Sequence, residues 1–373
     1  MMASLFTRSF AAICVCLATL CFVPHVSGAE PAERIVNLGD SITDGQTYAL
    51  LVEQAYREAR IDPPRFFGAG IGGDTSGGML KRLDRDVFVH HPTMVMLSCG
   101  INDASSGVPT ADFEANVTAI AKRMRDEKVR LMILTTTSVA PGLASFEPKL
   151  DEVNAILHRV AREYGLPVAE VYERMKGAQK SEPELWMDDV HLNLAGFRAM
   201  ARAVLDARGD ANVKVPTELH PPLLPGVIQR WNILPIKKND KPLTAETVAQ
   251  LKPDGEWKPY TLPESKRLEN FWLDQERQRG VAISLAETCG PAERYDAIAT
   301  VDSDVQRNAY INLGGELQSA WLNGKCLFGP GDPNRGWHPG AYRIPVHLQA
   351  GRNEIVVETS AHFFLSVTDT ADW

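Results

Sequence analysis

The stretch that decides the fold is RIVNLGDSITDG, residues 34–45. Residues 35–38 are mostly apolar and predict a buried strand, and the polar turn GDSITDG follows without a gap. Apolar residues then recur at helical spacing from Tyr48 to Tyr56. A strand, a tight turn and a helix in this order predict an α/β unit in which Ser41 lies at the carboxyl end of the strand.

The same alternation continues to about residue 205. Further apolar runs predict strands at 65–67, 93–97 and 131–134, and helical stripes occupy 113–124, 150–160 and 197–205. These strands are too apolar to face water, so the pattern predicts a parallel sheet with helices on both faces.

Beyond residue 210 the composition and the hydrophobic pattern of the sequence change. Four prolines between 215 and 225 indicate a linker. Strand patterns separated by glycine, asparagine and proline turns follow at 308–313, 341–346 and 354–358, which is typical of a β-sandwich. The predicted organisation is a signal peptide (1–29), an α/β domain (30–208), a linker (209–226) and a smaller all-β sandwich (227–373).

The N-terminal segment has the pattern of a secretory signal. Arg8 is the only charge before Glu30, an apolar run covers 10–23, and the small residues Ser-Gly-Ala at 27–29 precede Glu30. The apolar run is shorter than the roughly 20 residues that a membrane-spanning helix needs. We therefore expect cleavage, a secreted or periplasmic protein, and no stable membrane association afterwards.

Charge and cysteine content exclude several classes of function. The net charge of −8 gives no electrostatic attraction to nucleic acid or anionic membranes, so neither is expected as a partner. Without the signal, Cys99, Cys289 and Cys326 remain. Cys99 ends an apolar strand and is expected to be a buried thiol, whereas Cys289 and Cys326 can either pair or stay free. No Cys/His group has metal-ligand spacing, and the His90-His91 pair lacks partners, so no metal site is predicted.

Two glycine-containing turns and one asparagine follow predicted strands. Ser41 lies on the first turn, where its hydroxyl is exposed and its N–H points from a helix N-terminus, although Asp40 and Ser41 can also be simple helix caps. Gly73 belongs to the second turn, GAGIGGDT at 68–75, whose backbone N–H groups can approach a ligand. Asn102 follows the next strand and can donate its amide to an oxyanion or serve as a turn residue.

A histidine with a nearby carboxylate precedes the last helix of the α/β part. His191 needs a carboxylate to fix its tautomer before it can act as a general base, and Asp188 lies three residues earlier. Taken alone, a histidine in this position is more often a residue that starts a helix than a catalyst. Together with the three preceding segments, it predicts a catalytic site at the carboxyl ends of the strands.

These segments resemble the block motifs of the SGNH (GDSL) hydrolase family. The blocks are GDSIT at 39–43, GIGGDT at 70–75, GIND at 100–103 and DDVH at 188–191, within a similar region of 34–205. Isoleucine replaces the usual leucine of the first block, and Gly68 stands where the second often has asparagine. No GxSxG motif of the ordinary α/β-hydrolases is present.

The resemblance implies a fold and a mechanism. It implies a flavodoxin-like three-layer fold with a parallel sheet, and an esterase that uses no cofactor. Ser41 would be the nucleophile, His191 the base and Asp188 the residue that orients the histidine. The N–H groups of Ser41 and Gly73 and the side chain of Asn102 would form the oxyanion hole.

The C-terminal part suggests a substrate class. AYINLGGELQSAWLNGKCL at 309–327 and LQAGRNEIVVET at 348–359 are similar to galactose-binding-like modules. Trp321, Trp337 and Tyr342 can either stack on sugars or fill a core. The leading hypothesis is a carbohydrate O-acyl (acetyl) esterase whose partner is an acylated glycan. The alternatives are a lipase, phospholipase or thioesterase-like hydrolase of small acyl esters and, from another class, a non-catalytic glycan-binding protein.

Overall fold

The structure is a computed structural model that describes residues 33–182, 184–236, 241–262, 283–332 and 342–371. The predicted signal peptide and Trp337 lie outside these residues. No helix in the described part of the chain is long and apolar enough to cross a membrane.

The first part of the chain alternates strands and helices as predicted. Its strands are β1 (Arg34–Gly39), β2 (Arg65–Gly70), β3 (Met94–Ser98), β4 (Arg130–Leu134) and β5 (Val168–Ala169). Its helices are α1 (Ser41–Asp44), α2 (Thr47–Glu58), α3 (Ser76–Lys81), α4 (Ile101–Ser105), α5 (Thr110–Asp126), α6 (Glu147–Tyr164), α7 (Val171–Ala178) and α8 (Leu194–Ala207). A π-helical turn (Leu83–Val87) and two 3₁₀ turns (Phe88–His90, Pro141–Phe146) complete this part.

All pairings in the first sheet are parallel, in the order β2-β1-β3-β4-β5. This is the flavodoxin-like order, in which the chain reverses direction across the sheet between β1 and β3. Alternate residues of β1 feed opposite faces: Ile35 packs in one buried apolar cluster, and Val36 and Leu38 pack in the other. The predicted α/β fold is confirmed, and the carboxyl ends of β1, β2 and β3 lie side by side at one edge.

The second part is an antiparallel β domain with its own core. Its strands are β6 (Arg230–Ile236), β7 (Lys258–Thr261), β8 (Ile283–Ser284), β9 (Arg294–Ser303), β10 (Arg307–Leu322), β11 (Lys325–Phe328), β12 (Tyr342–Leu348) and β13 (Gly351–Thr368). Short helices α9 (Ala245–Val248) and α10 (Leu285–Cys289) interrupt them. The three predicted strand patterns fall within β10, β12 and β13, apart from Ala341, which lies outside the described residues.

Two long strands, β10 and β13, pair with each other within the eight-stranded antiparallel sheet of the β domain. The pairing of β10 with β13 shifts register near Gly315, Leu317 and Ser319. The first half of β10 pairs with β12, and its second half pairs with β11. Gly315 has φ +97°, and a Cβ there would lie 2.5 Å from the carbonyl oxygen of His362, so only glycine fits this close crossing. The predicted β-sandwich is confirmed.

Two large aromatic residues of the β domain, Trp321 and Tyr342, pack against other side chains of that domain. Trp321 is buried in a small apolar cluster and donates its indole N–H to Ser319 Oγ at 3.0 Å. Tyr342 packs edge-on against Phe328, with ring centroids 5.0 Å apart. Of the two roles open to them in the sequence, these contacts fit the core role.

The proline-rich segment between the two parts lies against the α/β domain. It contains no regular helix or strand at 214–226, but Leu219 is buried in the cluster that contains Ile35. The Gln54 amide donates to the Glu218 carbonyl and accepts from the His220 N–H. The segment is therefore fixed to helix α2, although the exact domain limits remain a prediction.

A second contact joins the β domain to the α/β domain. The Arg343 guanidinium of β12 lies 2.8 Å from His90 Nδ1 and 5.8 Å from the centre of the Phe67 ring. The rings of Phe67 and His90 stack with centroids 4.8 Å apart, and Arg34 lies over the Phe67 ring at 4.6 Å. His90, considered above only as a metal ligand, is thus part of an aromatic and cationic contact between domains.

Candidate active site

Three predicted residues form a continuous chain of hydrogen bonds. Ser41 Oγ lies 3.0 Å from His191 Nε2, and His191 Nδ1 lies 2.7 Å from Asp188 Oδ2. Such a chain lets the carboxylate hold the imidazole with Nε2 free to accept the serine proton. Enzymes with a serine nucleophile activate it through hydrogen bonds of this kind.

Ser41 owes its position to the tight turn after β1. Asp40 is the N-cap of α1, and its side chain accepts from the N–H of Ile42 at 3.0 Å. The capping interpretation is therefore correct for Asp40, whereas Ser41 occupies the first helical position and bonds to His191. A Cβ on Gly39 would lie 2.2 Å from Thr43 Oγ1, and one on Gly70 would lie 2.4 Å from the Asp44 nitrogen. These glycines allow α1 to lie directly against the ends of β1 and β2.

His191 lies on a loop that is tied at several points before α8 begins. The His191 carbonyl accepts from the Met187 N–H at 2.8 Å, and the Trp186 indole donates to the Ser138 carbonyl at 3.0 Å. Asn193 then caps α8 by accepting from the N–H of Gly196. The histidine is thus held at the edge of the sheet, beside the end of β1.

Asp188 is stabilised as a carboxylate. Its partial burial opposes ionisation, but the backbone N–H groups of His191 and Val190 and the His191 ring lower the pKa of Asp188. Its side chain is 57% exposed, so solvent screens these interactions. The loop itself supplies the donors that keep Asp188 charged beside the histidine.

Gly73 and Asn102 lie on neighbouring turns linked by a hydrogen bond. Asn102 Nδ2 donates to the carbonyl of Asp74 at 3.0 Å, which joins α4 to the turn that contains Gly73. Gly73 has φ +74° and is exposed, with nothing within 4 Å of a Cβ position. The backbone conformation requires glycine, and its surface is open.

Sequence reasoning missed a buried arginine behind these turns. Arg82 Nε donates to Asp74 Oδ2 at 2.7 Å, Nη1 to Asp86 Oδ2 at 3.1 Å and Nη2 to the Gly39 carbonyl at 2.9 Å. The side chain of Arg82 is 7% exposed. Arg82 follows α3 in the charged run KRLDRD, which has the composition of a solvated surface, so its burial has no signal in the sequence.

A second buried link, also missed, joins the turn after β2 to helix α4. Asp103 accepts from the Ser76 backbone N–H and, at 2.6 Å, from its hydroxyl. Asn116 of α5 donates its amide to the same hydroxyl. The Asn-Asp pair of the third block therefore has two tasks: Asn102 faces the turn of Gly73, and Asp103 fixes the start of α3.

Two further carboxyl groups lie beneath Ser41. Burial raises the pKa of Asp40 to about 7, against the opposing effect of its hydrogen bond from Ile42. Burial likewise raises the pKa of Asp44 to about 7, although Arg82 favours its charged form. With pKa values near 7, both carboxyl groups are expected to change charge close to neutral pH.

The structure shows the state of the three cysteines that follow the predicted signal peptide. Cys99, Cys289 and Cys326 are free thiols, and Cys99 is buried as predicted. Burial raises the pKa of Cys99, Cys289 and Cys326, so none of them is favoured as a thiolate nucleophile. Across the described ranges, no group of three or more His, Cys, Asp or Glu residues is arranged to hold a metal ion.

A parallel sheet in the flavodoxin-like order and a hydrogen-bonded Ser41, His191 and Asp188 are the features to compare with known proteins. Residues 38–199 match the model of the GDSL-like lipase/acylhydrolase family. Over these residues the α/β part of this chain is similar to the SGNH/GDSL hydrolases.

Similar proteins are esterases or acylhydrolases by name. Esterase TesA of Pseudomonas aeruginosa is 28% identical over 109 residues, which are 28% of this chain and 54% of that protein. The Arylesterase of Vibrio mimicus is 24% identical over 125 residues, which are 32% of this chain and 62% of that protein. The chain spans between half and two thirds of the length of these curated relatives. The crystal structure of the lipase/acylhydrolase from Enterococcus faecalis is 23% identical, with a TM-score of 0.44, and the match covers 50% of this chain and 99% of that one.

Proposed function

We propose that this protein is a secreted serine esterase that removes acyl groups, acetyl above all, from carbohydrates. The observation that carries the esterase assignment is the chain of hydrogen bonds from Ser41 through His191 to Asp188. The family of the α/β domain supports the same reaction class.

The proposed reaction has two acyl-transfer steps. Ser41 Oγ attacks the ester carbonyl carbon while His191 Nε2 takes the hydroxyl proton, and Asp188 stabilises the resulting imidazolium. The tetrahedral intermediate then expels the alcohol, which receives the proton from His191. Water attacks the acyl-enzyme by the same route, so that acid is released and Ser41 is restored.

The negative charge of each tetrahedral intermediate needs donors at fixed positions. The N–H groups of Ser41 and Gly73 and the second amide hydrogen of Asn102 are the proposed donors. The hydrogen bond from Asn102 Nδ2 to the Asp74 carbonyl supports this role, because it orients the amide before substrate arrives. Donors that are oriented in advance need no reorganisation during the reaction.

The exposure of the site residues supports a substrate in which the ester is attached to a bulky alcohol. The side chains of Asp188 and His191 are 57% and 33% exposed, and Gly72 and Gly73 on the turn after β2 are exposed as well. A small acyl group can reach Ser41 at such a surface while the rest of a polymer remains outside. Export of the chain and its β-sandwich, both argued from the sequence, favour a carbohydrate as that polymer.

Acetate release separates this proposal from its main alternative. The full chain is incubated with an acetylated polysaccharide and, in parallel, with p-nitrophenyl esters of two to twelve carbons. We expect acetate release from the polysaccharide and a rate that falls with acyl length. Preference for long acyl chains with no release from the polysaccharide would favour a lipase-like enzyme. Binding to the polysaccharide without turnover of any ester would contradict the esterase assignment.

A further inference from the structure

Arg82 lies at the point where the turns of the proposed oxyanion hole meet. Its three nitrogen atoms are all engaged, each with a different acceptor, on Gly39, Asp74 and Asp86. A guanidinium is suited to this arrangement because its donors are fixed in one plane and point in diverging directions.

Two of these acceptors adjoin proposed oxyanion donors. Gly39 lies two residues before Ser41, and its carbonyl also accepts from the N–H of Ile71 at 3.1 Å. Asp74 directly follows Gly73. By bonding to both Gly39 and Asp74, the Arg82 guanidinium fixes the distance between the turn that carries the Ser41 N–H and the turn that carries the Gly73 N–H.

Arg82 also influences the third proposed donor, the Asn102 amide, and it does so through Asp74. Asp74 receives Arg82 on Oδ2 and the Thr75 N–H on Oδ1, while its backbone carbonyl accepts from Asn102. A residue held at both its side chain and its backbone has little freedom to rotate. The orientation of the Asn102 amide thus depends on the position at which Arg82 holds Asp74.

We propose that Arg82 is a positioning residue of the oxyanion hole, an inference that rests on the proposed esterase function. It touches neither substrate nor reacting atoms, and it acts by holding Gly39 and Asp74 at a fixed separation. Lysine cannot replace it, because a single ammonium group cannot serve three diverging acceptors with the same geometry.

The test is the R82K variant, with R85K as matched control. Arg85 is a neighbouring arginine whose hydrogen bonds go to Asp86 and to neither turn. We measure kcat and KM for p-nitrophenyl acetate, and a fluorophosphonate counts the reactive serines in each preparation. We also measure the inhibition constant of phenylboronic acid, which forms a tetrahedral adduct with the serine.

R82K should lower kcat per reactive serine about 100-fold, the effect of a misplacement of about 1 Å. KM should change little, and the boronic acid should bind more weakly by a similar factor, because only tetrahedral species use the hole. R85K should match wild type. If R82K reduces only the number of reactive serines and leaves kcat per serine and boronate affinity at the wild-type values, Arg82 merely supports the fold and the inference is wrong.

A second variant keeps the test decisive if R82K does not fold. D74N preserves the shape of Asp74, but one of its two acceptor oxygens becomes an NH2 donor, which must face either the Thr75 N–H or the Arg82 Nε–H. The same loss of kcat and boronate affinity is therefore expected. Wild-type values in D74N would overturn the inference. Failure of the esterase proposal looks different: wild type and S41A would then hydrolyse the ester equally, or neither would.

Discussion

Ser41 Oγ and His191 Nε2 lie 3.0 Å apart although 150 positions separate them in the sequence. The serine is placed by the turn after β1, and the histidine by the tied loop before α8. Each segment has a local reason for its conformation, but only the parallel sheet and the packing of α8 beside it bring them together. The contact therefore depends on the tertiary fold rather than on either motif alone.

The amide of Asn102 should matter in the transition state. We expect N102A to lose about 2.7–4 kcal/mol of transition-state stabilisation, the magnitude typical of one oxyanion donor. The loss should appear in kcat with KM nearly unchanged, because the amide stabilises charge that develops only during reaction. Steady-state kinetics on p-nitrophenyl acetate provide the measurement, and unchanged turnover would remove Asn102 from this role.

Asp188 and Asp189, the adjacent aspartates of the DDVH block, should differ sharply in their importance for turnover. D188N should lower kcat by about three to four orders of magnitude, because the amide cannot hold His191 in the tautomer that accepts the serine proton. Asp189 is also exposed, and its backbone carbonyl accepts from the Ala140 N–H. D189N should therefore behave as wild type. Equal losses in both variants would indicate damage to the loop instead of a specific role.

The buried carboxyl of Asp40 should make folding stability depend on pH. Its pKa rises from 3.8 to about 7 on burial, so between these values the folded chain keeps a proton that the unfolded chain releases. This contribution to stability is complete below pH 3.8 and is lost as the pH rises to about 7. Within this window the free energy of unfolding should fall by up to about 1.4 kcal/mol per pH unit on account of this group.

D40N isolates that contribution, since asparagine is also a good N-cap for Ile42 and cannot ionise. Urea unfolding of wild type and D40N at pH 4.5, 5.5 and 6.5 gives the two slopes. We expect a shallower decline of stability in D40N. Parallel declines would mean that Asp40 does not retain its proton in the folded state.

The contact between the domains should contribute to stability rather than to chemistry. R343A removes the hydrogen bond to His90 and the cationic contact with Phe67, and we expect a loss of about 1–2 kcal/mol. Arg352, an exposed arginine at the start of β13, provides the matched control R352A. Thermal unfolding of both variants tests this, and a melting temperature for R343A equal to that of R352A would contradict it.

The sequence was sufficient for the order of elements and for the outline of the site. Apolar runs and helical stripes identified β1, β3 and β4, because a buried parallel strand must be apolar on both faces. Ser41 and His191 were identifiable because strand ends, turns and reactive residue types coincide. The strands β6, β7 and β9 had no clear pattern, since their alternation is broken by proline and charged residues such as Pro235 and Asp296.

The hydrogen-bond network around Arg82 could not be predicted from the sequence, for a physical reason. A buried arginine such as Arg82 is stable only because Asp74, Asp86 and the Gly39 carbonyl surround it, and of these Gly39 and Asp74 lie on other segments of the chain. Nothing in the local pattern distinguishes it from the exposed Arg85. The same holds for Leu219 in the proline-rich segment, whose burial depends on the surface of the α/β domain.

Hydrolysis of p-nitrophenyl acetate by the full chain and by its S41A variant tests the central claim most directly. S181A, which alters an exposed serine of the same domain, serves as control. We predict that wild type and S181A hydrolyse the ester at the same rate and that S41A falls to the uncatalysed background. Hydrolysis by S41A at the wild-type rate would contradict the assignment of Ser41 as the nucleophile.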